Sequence, residues 1–195
     1  MRNSFKIQSK LMVLFIATAI TIMSCAKQKE SKSNQTNLEV SEVVKPNKDI
    51  HEAIISNNLE VVKQHAKAKE DINKIEAMSG SSPLITAVTF NRPKMVEVLV
   101  KAGADLSIQN NDGSSALHTA AFFGRVEMVK TLLEAGANKT LKNNFGATPR
   151  ETVLGDFAQM KPIYEMLTQQ LQPMGFTLDL AEVEKARPVV AMMLQ

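Results

Sequence analysis

Gly80–Asp105 reads GSSPLITAVTFNRPKMVEVLVKAGAD, and Gly113–Asn138 reads GSSALHTAAFFGRVEMVKTLLEAGAN. The two stretches lie over each other without a gap. Gly80, Gly113 and Gly146 recur every 33 residues, and so do Gly103 with Gly136 and Ala87 with Ala120. A fixed period of this length marks a stacked array, in which each unit buries its apolar face only against its neighbours. Arrays of this kind present an extended recognition surface rather than a catalytic cleft.

Each copy carries the signals of a turn and two antiparallel helices. Pro83 and Pro149 preset the backbone at a first helical position, and Ser82 and Thr148 before them can cap the orphan amides. Val96, Leu99 and Val100 in one copy, with Val129, Leu132 and Leu133 in the next, fall at i, i+3, i+4 and predict an apolar stripe facing the core. The small side chains of Ala87, Ala120 and Ala121 let neighbouring helices approach. Gly103 and Gly136 follow Leu-rich runs, where a left-handed C-terminal cap favours glycine. Asn91 stands where the next copy has Gly124 in the turn between helices, and Asn tolerates the same conformation.

The unit resembles the ankyrin repeat, whose signature is T-P-L-H-x-A within 33 residues. Ser115-Ala116-Leu117-His118-Thr119-Ala120 and Ser82-Pro83-Leu84-Ile85-Thr86-Ala87 carry it, with Leu132-Leu133-Glu134-Ala135-Gly136-Ala137-Asn138 and Val98-Leu99-Val100-Lys101-Ala102-Gly103-Ala104-Asp105 closing each copy. The resemblance implies an all-α solenoid of stacked helix-turn-helix units with capping terminal repeats, and binding of another protein. It extends over residues 47–170, divided near 47–78, 79–111, 112–144 and 145–170. The first copy starts at Asp49-Ile50-His51-Glu52-Ala53, has Lys69 in place of glycine, and has its second helix broken by His65. In the fourth, Pro162-Ile163-Tyr164-Glu165-Met166-Leu167 supplies the second helix, with Pro162 near its first turn. Residues 171–195 form a tail in which Asp179 caps a helix over Leu180 to Ala186, kinked or ended by Pro188.

Residues 1–24 read as a secretory leader: Arg2, Lys6 and Lys10 precede an uncharged run from Leu11 to Met23, too short for the roughly 20 apolar residues of a membrane span. Ile22-Met23-Ser24-Cys25 resembles a bacterial lipobox, which implies lipidation of Cys25, the only cysteine, and anchoring to a membrane of the cell envelope. Ser24-x-Ala26 also fits ordinary cleavage, which leaves a soluble periplasmic protein. Residues 25–46, rich in Lys, Ser, Asn, Gln and Glu, read as a flexible polar tether. Without the leader the 23 bases fall to the number of acids, 20, so there is no electrostatic case for nucleic acid.

No catalytic constellation stands out. His51, His65 and His118 lack metal-ligand spacing, and no phosphate loop or nucleophile elbow occurs, so no enzyme activity, metal, cofactor or small-molecule substrate is expected. In the ankyrin family the residue at His118 belongs to the turn-helix hydrogen-bond network, and His51 aligns with it. Phe122 and Phe123 end the first helix of the third copy, and Phe90 aligns with Phe123. Each is either core between repeats or an aromatic anchor for a partner. Asn111, Asp112 and Phe145 sit at turn tips and are candidates for the same interface, against the plainer reading of solvated loop. Most methionines outside the leader fall at helical positions and read as gap-filling core.

Overall fold

The computed structural model describes residues 46–195. The leader, Cys25 and all of the tether except Pro46 lie outside the described residues.

Three helix pairs follow one another: α1 (Ile50–Ile55) with α2 (Leu59–Ala68), α3 (Pro83–Thr89) with α4 (Pro93–Lys101), and α5 (Ala116–Phe122) with α6 (Val126–Glu134). First helices stack on first helices, α1 on α3 on α5, and second on second, α2 on α4 on α6. There is no strand among the described residues, only an isolated antiparallel bridge between Gln109 and Ser115. Ser82 caps α3 as expected, accepting from Ile85, and the structure adds two caps: Asp49 accepts from His51 and Glu52, and Asn58 from Val61. Asn57, Asn91 and Gly124 make the turns inside the pairs at φ 57°, 55° and 64°. Gly103 and Gly136 close their helix pairs at φ 89° and 85°, and Lys69 takes the same left-handed region at 53° in the first unit, where a Cβ is unfavourable.

The core is continuous along the stack. Ile50, Ile54, Leu84, Leu99, Leu117, Val129 and Leu132 are all buried to within 1%. Leu132 faces inward completely, whereas Leu133 is only partly buried and packs at the edge. His65 does not break α2. It lies inside the helix, buried, with its ring nitrogens 2.9 Å from the Lys48 carbonyl and 3.3 Å from the Glu70 carbonyl. A polar side chain is accepted there because backbone oxygens at the end of the stack need a partner.

The fourth unit is arranged differently from the sequence reading. Its first half is only a 3-10 turn at Glu151–Val153, packed on α5 and opened by reciprocal bonds between Thr148 and Glu151. The chain then leaves the stack. Asp156 caps a new helix, α7 (Phe157–Leu171), followed by a 3-10 turn at Gln172–Met174. Only α8 (Leu180–Met193) returns to pack on α6 and on Glu151–Val153, and so takes the second-helix place. The stretch Pro162–Leu167 therefore does not supply that helix, and Pro162 sits in the interior of α7. Nor does Pro188 end α8, which runs through it to Met193 because Val183, Val190 and Leu194 are buried on either side.

Leu132→Ala is expected to destabilise the fold by about 2–5 kcal/mol through the cavity it leaves. Leu133→Ala should cost clearly less. Urea unfolding midpoints of the two variants check the order.

Candidate functional site

The turn between one helix pair and the next is built by asparagine. The Asn110 side chain accepts from the Asp112 and Ser114 amides at 3.1 and 2.9 Å, and Asn143 does the same for Phe145 and Ala147 at 3.1 and 3.0 Å. In the first such turn a carboxylate takes over: Glu76 accepts from the Met78 and Ser79 amides, bonds that hold it below the usual carboxylate range. The next asparagine in each turn reaches backwards. Asn111 donates from its backbone to Ser79 and from its side chain to Met78, at 2.9 and 2.8 Å. Asn144 donates likewise to Asp112 and Asn111, at 3.0 and 2.9 Å. Gly80 and Gly113 leave the room for this, since a Cβ there would lie 2.4 and 2.5 Å from the asparagine oxygens.

These rungs hold the turn tips in one rigid row. Asn111 is a rung, so its side-chain amide already serves the array. Asp112 uses its backbone in the ladder and leaves its side chain in water. Phe145 is 80% exposed at the last tip, and Met78 is 89% exposed at the first. Met78 is no core methionine, against the reading of most methionines outside the leader as gap-filling core. Met95 and Met128 do fill core, but Met166, Met174 and Met192 face solvent.

The three phenylalanines of the first-helix ends are placed differently. Phe90 and Phe123 are 7% and 6% exposed, and Phe122 is half-buried. They are not free anchors, because the C-terminal segment of the same chain covers them. Phe176 is wedged against both, with ring centroids 6.2 Å from Phe90 and 5.4 Å from Phe123. Tyr164 stacks at 4.6 Å on Phe122 and donates its hydroxyl to the Phe122 carbonyl at 2.8 Å. Burial pushes the Tyr164 hydroxyl upward, opposed by the nearby Arg187 charge. Arg187 is itself buried and donates to the Tyr164 oxygen and the Gly155 carbonyl. The sequence pattern put Tyr164 in the second helix of a fourth copy and pointed to neither Phe176 nor Arg187, which obey no repeat.

His118 belongs to the turn-helix network. The Ser115 amide donates to its Nδ1 at 3.2 Å, so that nitrogen is unprotonated, and Nε2 faces the Ala147 carbonyl at 3.1 Å. Burial pushes its pKa below the ordinary value of 6.5, with the bond to Ala147 opposing. His51 bridges Thr86 Oγ1 at 2.9 Å and the Lys74 carbonyl at 2.7 Å. Among the described residues no three His, Cys, Asp or Glu side chains come together to hold a metal, and no helix is long and apolar enough to cross a membrane.

Residues 50–143 match the family model described as ankyrin repeats in three copies. Among solved structures the chain is similar to the ankyrin repeat domain of Bcl-3, described as a unique member of the IkappaB protein family, at 38% identity and a TM-score of 0.51. That alignment covers 53% of this chain and 45% of that one, so it spans less than half of the relative. No curated protein matches the sequence.

Because the folded state holds His118 neutral, its protonation favours the unfolded chain. Its contribution is complete above about pH 6.5 and is lost as the pH falls toward the lowered folded value. Urea midpoints should therefore drop on acidification from about pH 7 to 5. The fall should be shallower in His118→Gln, and an equal fall in both proteins would remove His118 as its source.

Proposed function

We propose that this chain, an array of ankyrin repeats over residues 50–143, binds another protein through its row of turn tips, with Met78 and Phe145 as apolar anchors and Asp112 between them. An ankyrin array is a protein–protein interaction module; the choice of face is carried by the exposure of Phe145. A phenylalanine 80% in water on a turn pinned by Asn143 and Asn144 gains little for its own fold. Its rigid mounting lowers the entropy lost when a partner covers it. Asp112 adds one negative charge between two apolar tips, which suits a partner surface with two apolar recesses flanking a basic group. The role is non-enzymatic, since His118 is buried in a structural network and faces no cleft.

Location is part of the same reading. The apolar run from Leu11 to Met23, followed at once by Cys25, supports export and a lipid anchor on Cys25, with residues 26–46 spacing the array from a membrane of the bacterial envelope.

Phe145→Ala and Met78→Ala, each shown to be folded, should weaken binding of the captured partner by about 2 kcal/mol or more, as for interface hot spots. Lys101→Ala and Glu134→Ala, exposed on the second helices, should leave it unchanged. Wild-type affinity of Phe145→Ala would place the interface elsewhere. Cys25→Ala should shift the protein from the detergent phase to the aqueous phase, and unchanged partitioning would end the lipid-anchor reading.

A further inference from the structure

We infer that residues 157–179 are a detachable strap over a second binding surface, an aromatic seam of Phe90, Phe122 and Phe123 fitted to a partner segment that brings one ring in place of Phe176. The seam runs along the ends of α3 and α5, on the side of the turns inside the helix pairs. Its chemistry is shown by its present occupant. Phe176 meets Phe90 edge-on, at an interplanar angle of 89°, and lies against Phe123, while Leu178 and Leu180 pack beside them. An aromatic residue followed at short distance by leucines is therefore the sequence that fits.

Four observations say that the strap is held only marginally. First, α7 is 15 residues long and fully buries a single side chain, Tyr164, while Phe157, Met160, Leu167 and Leu171 are only partly buried against the aromatic cluster. Ile163 and Met166 are left 41% and 48% exposed on it. Second, Pro162 inside α7 removes a helical hydrogen bond and crowds the preceding turn. Third, Arg187 is a buried cation whose partners on the strap side are all neutral: the Tyr164 hydroxyl, the Gly155 carbonyl and the Phe157 ring, 5.8 Å from the guanidinium carbon. A buried charge with no carboxylate paired to it among the described residues is offset less than a paired one, and it regains water when the strap lifts.

The fourth observation is a broken repetition. Arg92 donates from Nε and Nη2 to the Ile54 and Ile55 carbonyls, at the end of the preceding first helix, at 3.3 and 3.2 Å. One repeat on, the register makes Arg125 and the carbonyls of Val88 and Thr89 the equivalent positions. With the strap in place it is turned to Thr177 instead, through one long contact of 3.5 Å, and its buried Nε has no partner among the described residues. Lifting the strap frees Arg125 to make the bonds that Arg92 makes. The docked state thus carries an orphan donor that the lifted state does not.

The inference stands apart from the turn-tip reading, whose anchors lie on different residues. Hydrogen exchange of the full chain should show α7 amides exchanging at least 100-fold faster than those of α3 and α5. Protection of α7 equal to α5 would overturn the strap. Arg125→Met keeps the apolar stem and removes the orphan donor, so it should slow exchange in residues 172–180; faster exchange there would refute the latch argument. A fluorescent synthetic peptide with the sequence of residues 170–182 is the binding probe. It should bind folded Phe176→Ala at least tenfold tighter than wild type, lose that binding when Phe123→Ala is added, and be indifferent to Phe145→Ala. Equal binding to wild type and Phe176→Ala, or none to either, would overturn the seam as a ligand surface.

Discussion

None of the first helices in the array is long enough to stand by itself. α3 and α5 have seven residues each and α1 has six, whereas isolated helices shorter than about 12 residues are marginal even with favourable composition. Burial against the next unit is what makes them helical. Leu84, Leu117, Val96 and Val129 have almost no contact with water because a neighbouring pair covers them. Every other feature follows from this dependence: left-handed turns that let the pairs fold tightly, small residues between helices, and a problem at each end of the stack where a neighbour is missing.

The two ends solve that problem differently. At the N-terminal end, His65 ties the second helix to the backbone of Lys48 and Glu70, and Lys74 pairs with Asp49 at 2.9 Å, so a short polar segment closes the stack. At the C-terminal end, α8 covers α6, but it reaches that place only after residues 154–179 have crossed the ends of α3 and α5. Gly124 lets α8 itself come close, since a Cβ there would lie 3.0 Å from the Ala186 side chain. The fourth unit is thus assembled from two pieces far apart in sequence, and the segment between them carries an aromatic cluster of its own, separate from the main core.

The array consequently has two surfaces of opposite character. Along the turn tips the backbone is bonded from unit to unit and the side chains at Met78, Asp112 and Phe145 are left in water. Along the other turns the backbone is tight, and the side chains at Phe90 and Phe123 are covered by the chain itself. Rigid mounting with exposed side chains is what an interface needs before its partner arrives. A covered seam needs an exchange of one occupant for another.

The stack itself was legible in the sequence because a repeat states its contacts many times over. Register alone placed the glycines, the apolar stripes and the turn tips of the second and third copies, but not Met78, which the structure leaves exposed at the first tip. Asn111 as a rung was less plain, since a side chain bonding to its neighbouring turn reads like any polar loop residue. The fourth unit departs from its sequence pattern for a physical reason. Pro162 to Leu167 has the helical pattern of a second helix, but local pattern cannot say which partner a helix will meet. That choice rested on contacts between residues far apart in the chain, Tyr164 with Phe122, Phe176 with Phe90, and Arg187 with Gly155, none of which repeats. Periodic contacts are written in the sequence as period; contacts made once are decided only where the folded chain brings the residues together.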